Sequence, residues 1–261
     1  MEISEIKKHL ATETVGRKLF VYAEVGSTND VLRKLAGEDT AADGTVVVSD
    51  SQTAGRGRLG RKWVSPAGRN LYLSALFRPK ISPQESPVFT FLASCALVEV
   101  FSGYGISAAI KWPNDILVGG RKISGVLTEL ATSDGATDYL VIGIGVNLNL
   151  PEEYLRREME DISEKTTSLS ILLGEDVSRE KFCAELISAL DRFYGEFRRR
   201  GTRAIVAMWT EKWGFLGKEV SVDVSGEVIR GVVESVDGNG FLYLRTDGGD
   251  LRRVITGDTV F

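Results

Sequence analysis

Residues 52–63 have the sequence QTAGRGRLGRKW and combine glycines with closely spaced cations. The glycines permit positive φ angles and let the backbone approach a ligand closely. Successive N–H groups in such a turn can converge on an anion, and arginine adds forked donors that match phosphate or carboxylate. Almost nothing in this stretch can be buried, so it predicts a flexible loop that wraps an anion. A solvated basic loop or an RNA-contacting segment would have the same composition.

Two further segments place cations beside turns or glycine. In residues 111–115 (KWPND), a proline forces the chain out of a strand, which directs a cation, an amide and a carboxylate toward one rim of a sheet. In residues 121–127 (RKISGVL), Lys122 opens an apolar strand and Gly125 follows within it. A glycine inside a strand indicates close approach of a ligand or another backbone. Each segment alone is also compatible with an ordinary turn or hairpin.

Several familiar chemistries are excluded by what the sequence lacks. Residues 143–149 (GIGVNLN) have neither the third glycine nor the helix start of a dinucleotide-binding fingerprint, and there is no P-loop motif. The single histidine, His9, lies near the N-terminus, which argues against Ser-His-Asp or Cys-His catalysis. Cys95 and Cys183 lie in apolar helical contexts, which predicts buried thiols, and no C-x-x-C pattern indicates structural zinc.

The helices and strands that position these segments can be predicted from the hydrophobic periodicity of the sequence. We predict strands at 19–22, 45–49, 71–77, 109–112, 116–118, 122–128 and 139–147, the last buried on both faces, and helices at 2–10, 84–102, 167–173, 178–199 and 202–212. Ser27 and Thr28 offer N-cap groups to a further helix that follows them. After Trp213 the pattern changes to short alternating strands, which predicts a small all-β barrel. We therefore expect a domain at 1–213 and a second at 214–261.

The overall composition is that of a soluble globular protein. The chain has 261 residues, of which 43% are hydrophobic and 26% charged, with a net charge of −4. A general nucleic-acid binder is usually basic, so the basic loop favours a local anion site. We expect no apolar run long enough to span a membrane and no signal peptide, and hence a cytoplasmic protein.

Together, these segments resemble the biotin protein ligase family. The resemblance rests on residues 27–29 (STN), 52–63 with Ser65 and Pro66, 111–115 (KWPND), 121–127 (RKISGVL) and 143–147 (GIGVN), in the family's order. It covers essentially the whole chain. It implies an α+β fold, with a mixed-sheet catalytic domain related to class II aminoacyl-tRNA synthetases and a C-terminal SH3-like β-barrel.

The resemblance also implies an activity. The family uses ATP to convert biotin to biotinoyl-5′-AMP, and then transfers biotin to a lysine of a biotin carboxyl carrier protein. Two anions meet in the first step, so the enzyme must supply positive charge and orientation. By resemblance, the catalytic residues are Lys122, Arg58 and Lys111, with Mg²⁺ shielding the phosphates and Asp115 as a metal ligand.

Two further sets of residues are implied by the resemblance. Biotin-binding residues are Ser27, Thr28, Asn29, Gln52, Gly55, Arg56, Gly57, Arg58, Lys122 and Gly125. ATP-binding residues are Arg58, Arg61, Trp63, Lys111, Asn114, Lys122 and Asn147.

Other readings stay open at this point. Larger family members carry an N-terminal helix-turn-helix domain and repress transcription, but only about 20 residues precede the first predicted strand here, so we expect neither DNA binding nor repression. Family members often dimerise, which makes a homodimer an expectation. A lipoate or octanoate ligase, a nucleic-acid-binding module and an inactive homologue are the alternatives. The acceptor carboxylase and the role of the barrel are not determined by the sequence.

Overall fold

Helices and two β-sheets make up the protein. The computed structural model describes residues 1–38, 40–224, 226–255 and 257–260. Within these residues, a seven-stranded mixed sheet is flanked by helices, and a five-stranded antiparallel sheet is built from the C-terminal part of the chain. This arrangement agrees with the predicted α+β architecture.

The seven-stranded sheet positions most of the predicted site residues. Its strands are β1 (Leu19–Val25), β2 (Val46–Gln52), β3 (Leu71–Phe77), β4 (Ala109–Lys111), β5 (Asp115–Val118), β6 (Arg121–Ser133) and β7 (Ala136–Val146). Their order is β1-β2-β3-β7-β6-β5-β4. Only β1 and β2 are parallel, and every other neighbouring pair is antiparallel.

Helices cover the two faces of this sheet unequally. They are α1 (Ile3–Lys8), α2 (Thr28–Gly37), α3 (Pro87–Gly103), α4 (Glu152–Glu158), α5 (Leu169–Leu173), α6 (Arg179–Arg200) and α7 (Thr202–Trp213). On one face, α3 lies against the sheet with α6 and α7 behind it, and this side contains the main apolar core. On the other face, α2 packs on β2, β3 and β7 through a smaller cluster that includes Leu32, Leu76 and Val141.

This unequal cover corrects one prediction about β7. The strand was expected to be buried on both faces, and Leu140, Val141 and Ile142 are fully buried. Gly143 and Gly145 are only half-buried. The apolar cluster under α2 reaches β7 at Val141 and Tyr139, whereas Gly143 faces the polar side chain of Asn29 and Gly145 faces the ring of Trp63.

The helix α3 belongs to the core. Contrary to the sequence-based expectation, the segment Pro83–Gly103 is long and apolar enough to cross a membrane by length and composition. Most of it is nevertheless buried inside the protein, where it packs against α6, α7 and the sheet. Its apolar character is therefore explained by its position in the core.

The C-terminal strands form their own sheet against the larger part of the protein. They are β8 (Glu219–Val224), β9 (Glu227–Val236), β10 (Leu242–Arg245), β11 (Leu251–Val254) and β12 (Asp258–Val260), in the order β11-β10-β9-β8-β12. The Thr259 hydroxyl donates to the carbonyl oxygen of Trp112 at 2.8 Å. The division at residues 213 and 214 stays a prediction, and Ser225, Thr256 and Phe261 lie outside the described residues.

We expect both thiols to be unreactive in the native protein. Cys95 in α3 and Cys183 in α6 are free and buried. Burial raises the pKa of the Cys95 thiol to about 12 and that of Cys183 higher still. Because the thiolate is the reactive form, a thiol-specific disulfide reagent at about pH 8 should label neither cysteine until the protein is unfolded. Rapid labelling of the folded protein would contradict this expectation.

Candidate active site

The glycine-arginine stretch folds as a short hairpin, which we call the cationic hairpin (residues 52–65). The N–H of Trp63 donates to the carbonyl of Gly55 at 3.0 Å, and the N–H of Gly57 donates to that of Arg61 at 2.7 Å. The turn Arg58–Gly60 forms its tip, where Leu59 has a φ of 56°. The stretch predicted as a flexible loop is therefore held by cross-strand hydrogen bonds.

Two glycines beneath the hairpin accommodate an aromatic ring. Gly125 on β6 lies directly opposite Gly145 on β7, and we call this pair the glycine floor. A Cβ atom on Gly145 would lie 2.3 Å from Cε2 of Trp63, and one on Gly125 would lie 3.1 Å from Cζ3 of the same indole. The close approach that Gly125 predicted is thus made by the Trp63 ring, which lies on the sheet because both positions lack a side chain.

Lys122 lies at the edge of the glycine floor. Its Nζ atom is 5.4 Å from the centre of the Trp63 ring, within cation–π range. The same atom is 2.6 Å from Oδ1 of Asp115, and both side chains are partly exposed. In the antiparallel register, Asp115 lies opposite Gly125, and the Lys122 side chain runs over Gly125 to reach the Asp115 carboxylate. The site therefore presents a held ammonium group beside an aromatic face.

Asp115 pairs with Lys122 in this structure, although the resemblance assigned it to magnesium. Across the residues that the structure describes, no group of three or more His, Cys, Asp or Glu side chains could hold a metal ion. The donor set here therefore does not form a protein metal site. The assignment of Asp115 to a metal stays a prediction without structural support.

A polar cluster lies where α2 begins on the sheet. The amide N–H of Thr28 donates to Oε1 of Gln52 at 2.9 Å. The Ser74 hydroxyl lies 2.7 Å from Oγ1 of Thr28 and 2.6 Å from Oδ1 of Asn29. Nδ2 of Asn29 then donates to Oε2 of Glu129 at 2.8 Å. These five side chains (the polar cluster) offer donors and acceptors side by side, which suits a small ring that carries both.

Two members of this cluster, Ser74 and Glu129, were not predicted from the sequence. Ser74 is a lone hydroxyl in the otherwise apolar strand LYLSALF, and Glu129 interrupts the apolar pattern of β6. A buried polar side chain in such a strand needs a partner, and this signal could have identified both. Ser27 occupies the N-cap position of α2 and is buried, but its side chain makes no capping hydrogen bond.

The tip of the hairpin contacts both parts of the protein. Nη1 of Arg58 lies 3.1 Å from Oδ1 of Asn114, in the turn between β4 and β5. Nη1 and Nη2 both donate to the carbonyl oxygen of Gly257 at 3.2 Å. Asn114 is itself fixed by a 2.9 Å hydrogen bond to the carbonyl of Val126. Arg58 therefore ties the hairpin to the sheet and to the C-terminal strands.

Three other predicted nucleotide-binding residues, Asn147, Lys111 and Arg61, make none of the contacts described above for Trp63, Lys122, Arg58 and Asn114. Asn147 is only 4% exposed. Its Nδ2 atom donates to the carbonyl oxygen of Thr167 at 3.1 Å, and its Oδ1 atom accepts from Nδ2 of Asn70 at 3.5 Å. Its polar groups therefore serve the protein interior. Lys111 ends β4 opposite Asp115, and Arg61 is exposed in the hairpin.

The comparisons with known proteins agree with this geometry. The model of the biotin/lipoate A/B protein ligase family matches residues 21–147, and that of the biotin protein ligase C-terminal domain matches residues 215–261. These two matches define the class of the protein as a protein ligase with the C-terminal domain found in biotin ligases. They also confirm the predicted mixed-sheet domain and SH3-like C-terminal part.

Individual relatives narrow the class. The chain is 33% identical to the bifunctional ligase/repressor BirA of Bacillus spizizenii, over 98% of this chain and 77% of that protein. It is 32% identical to the biotin–[acetyl-CoA-carboxylase] ligase of Paracoccus denitrificans, over 92% and 98%. The structure of the Aquifex aeolicus biotin protein ligase in complex with biotin and ATP matches with a TM-score of 0.73 and 30% identity, over 94% and 98%. The chain therefore belongs to the biotin protein ligase family, whose members are enzymes.

Proposed function

We propose that the protein activates biotin with ATP to biotinoyl-5′-AMP and transfers the biotinoyl group to a lysine of a biotin carboxyl carrier protein. One observation carries the proposal: Lys122 lies at the edge of the glycine floor against the Trp63 ring of the cationic hairpin, and Asn29 of the polar cluster lies on Gly143, two residues before Gly145 on β7. The Aquifex relative, described as bound to biotin and ATP, and the Paracoccus relative, named for acetyl-CoA carboxylase, support the two substrates and the type of acceptor.

In this proposal, biotin extends from the polar cluster to Lys122. The ureido ring needs both donors and acceptors, which Ser27, Thr28, Asn29 and Gln52 supply. The backbone at residues 55–57 closes over the ring, and the aliphatic chain runs past the Trp63 indole, which covers the glycine floor. The carboxylate then reaches the Lys122 ammonium group.

Adenylation requires two anions to meet. A carboxylate oxygen of biotin attacks the α-phosphorus of ATP, a new P–O bond forms, and the bond to pyrophosphate breaks. Lys122 and Arg58 offset the negative charge that gathers on the α-phosphate, and Lys111 adds a third cation near the phosphates. Trp63, Arg61 and Asn114 are the residues that we assign to the nucleotide. Asn147 is not among them, because its side-chain amide is hydrogen-bonded to Thr167 and Asn70 inside the protein. ATP enters as its magnesium complex, so the metal belongs to the substrate.

Transfer needs no nucleophile from the enzyme. The neutral amine of the acceptor lysine attacks the acyl carbon, an amide bond forms, AMP leaves, and the amine proton passes to solvent. This agrees with a chain whose two cysteines are buried. A closed hairpin keeps water away from the labile mixed anhydride until the acceptor arrives.

ATP–pyrophosphate exchange tests the proposal directly. Exchange that depends on biotin, and not on lipoate, supports it. Exchange with lipoate alone would assign the protein to the sister activity, and the absence of exchange with either acid would refute the proposal. A nucleic-acid-binding assay at low and high salt, run beside the exchange assay, tests the alternative function. A nucleic-acid-binding protein would show an affinity that falls steeply with salt, because its contacts are made to phosphates.

The expected absence of DNA repression and the expected homodimer stay predictions. Gel-shift titration and sedimentation equilibrium would decide them.

We expect Arg58→Gly to release biotinoyl-5′-AMP at least about tenfold faster. The substitution removes the contacts of the hairpin tip with Asn114 and Gly257, so the hairpin opens more often. Free adenylate acylates any exposed amine, and we therefore expect biotin on lysines of an added bystander protein such as serum albumin. Streptavidin blotting measures this labelling.

The matched control is Lys62→Gly, which also removes one cation from an exposed position in the same hairpin. It should leave bystander labelling at the level of the unsubstituted protein. Equal labelling by both variants, or none by Arg58→Gly, would contradict the assigned role of the tip.

A further inference from the structure

Arg56 lies among carboxylates. Its Nη1 atom is 2.8 Å from Oδ2 of Asp30, and its Nη2 atom is 2.6 Å from Oδ1 of the same side chain. Nη2 is also 3.8 Å from Oε1 of Glu129. The pair with Asp30 is bidentate, which is the strong and directional form of the arginine–carboxylate interaction.

These three side chains come from three different elements. Asp30 belongs to the first turn of α2, Glu129 to β6, and Arg56 to the cationic hairpin. Backbone hydrogen bonds already fasten the base of the hairpin, where the N–H groups of Thr53 and Ala54 donate to the end of β1 at 3.0 and 2.8 Å. Beyond that base, the ion pairs of Arg56 connect the hairpin to α2 and to strand β6.

We propose that Asp30 and Glu129 are positioning residues that hold the cationic hairpin closed through Arg56. In this arrangement, which rests on the proposed function, Arg56 is a clamp and does not bind phosphate or the biotin carboxylate. The guanidinium already faces Asp30 and Glu129, and a substrate anion would have to displace a carboxylate from its bidentate site.

The exposure of the groups sets the size of the expected effect. The side chains of Arg56, Asp30 and Glu129 are 35%, 47% and 25% exposed. Ion pairs at that exposure contribute little to global stability. Opening of a hairpin is a local event, however, and a modest change in its free energy changes the open population directly. The clamp should therefore affect retention of the intermediate far more than folding.

The clamp should be intact at neutral pH. The hydrogen bond from Arg56 lowers the pKa of Asp30, against the opposing effect of burial. A carboxyl group whose pKa is lowered on folding contributes its stabilisation above its unfolded pKa and loses it as the pH falls through the folded value. The Asp30 contact therefore weakens only in acid, below the usual range of an aspartate.

The first experiment measures release of biotinoyl-5′-AMP from Asp30→Asn. We expect release to be about threefold to tenfold faster, with little change in the rate of adenylation at saturating substrates. Asp30→Glu keeps the carboxylate and should restore retention. Asp138→Asn is the matched control, because Asp138 is similarly exposed and forms a 3.2 Å ion pair with Arg78, which is not part of the hairpin.

A double-mutant cycle then separates a clamp from a ligand-binding role. If Arg56 acts only through Asp30 and Glu129, Arg56→Gln should behave like Asp30→Asn, and the double variant should add little. A large loss of adenylation rate in Arg56→Gln, with none in Asp30→Asn, would assign Arg56 to the substrate and overturn the inference. Unchanged release by Asp30→Asn would also overturn it.

Tryptic cleavage tests the clamp without any substrate. The hairpin contains Arg56, Arg58, Arg61 and Lys62, and Asp30→Asn preserves all four cleavage sites. We expect cleavage within residues 56–62 to accelerate about threefold or more in Asp30→Asn but not in Asp138→Asn, and equal rates would refute the clamp. If the unsubstituted protein showed no biotin-dependent exchange, the proposed function would be refuted. The tryptic cleavage assay would still decide whether the clamp exists.

Discussion

Replacing Lys122 by alanine should lower the rate of biotin-dependent ATP–pyrophosphate exchange by about 100-fold to 1,000-fold, the range seen when one preorganised transition-state donor is removed. The ammonium group lies beside the glycine floor, 5.4 Å from the centre of the Trp63 ring. In the proposed mechanism, it offsets charge on both the attacking carboxylate and the α-phosphate. Single-turnover formation of biotinoyl-5′-AMP measures the effect.

Two controls separate chemistry from folding in this experiment. Lys122→Ala leaves Asp115 without its ion pair, so the double variant Lys122→Ala/Asp115→Asn removes that unpaired charge. Both should keep the far-ultraviolet circular dichroism spectrum of the unsubstituted protein and lose activity alike. Lys62→Ala, which removes a cation from an exposed position of the hairpin, should be nearly fully active. Near-normal turnover of Lys122→Ala would eliminate its assigned role.

Replacing Gly145 by alanine should raise the KM for biotin at least about tenfold. The new Cβ atom would lie 2.3 Å from Cε2 and 2.5 Å from Cζ2 of Trp63. An indole ring is rigid, so the whole ring must move and the hairpin that carries it must shift. Overpacking of this kind typically costs about 1–3 kcal/mol. Steady-state kinetics with biotin as the varied substrate, together with thermal unfolding, measures both consequences.

The control for this substitution is Gly103→Ala at the end of α3. A Cβ atom there would meet no heavy atom within 4 Å, so activity should be unchanged. Trimming the ring in Gly145→Ala/Trp63→Leu should recover part of the lost stability, because it removes the atoms that collide. A normal KM in Gly145→Ala would show that the contact between Trp63 and the glycine floor is not needed for biotin binding.

Much of the fold follows from local patterns. The apolar run of residues 71–77 was predicted as a strand with the same bounds that β3 has, and the helical periods after residue 178 gave α6 and α7 to within a residue or two. The short helix α4 was not predicted, because its sequence EEYLRRE has too few apolar residues to show a helical hydrophobic periodicity.

Part of the candidate site could also be predicted from the sequence, and part could not. The glycines and cations of residues 52–63, Lys122 and Gly125 were recognised because their residue types are unusual for their local element. The partners of these residues were not recognised. Arg56 meets Asp30 and Glu129, and Trp63 meets Gly145, across long separations in the chain.

Residue types and their local spacing are therefore enough to predict most of the helices and strands, the family resemblance and the residues able to take part in chemistry. Hydrogen-bonding capacity, backbone freedom and burial period are properties of a residue and its near neighbours, so they can be read locally. Which carboxylate each cation meets is set by tertiary packing. That choice depends on the strand order β1-β2-β3-β7-β6-β5-β4 and on registers such as Gly125 opposite Gly145, which arise when distant segments pack together.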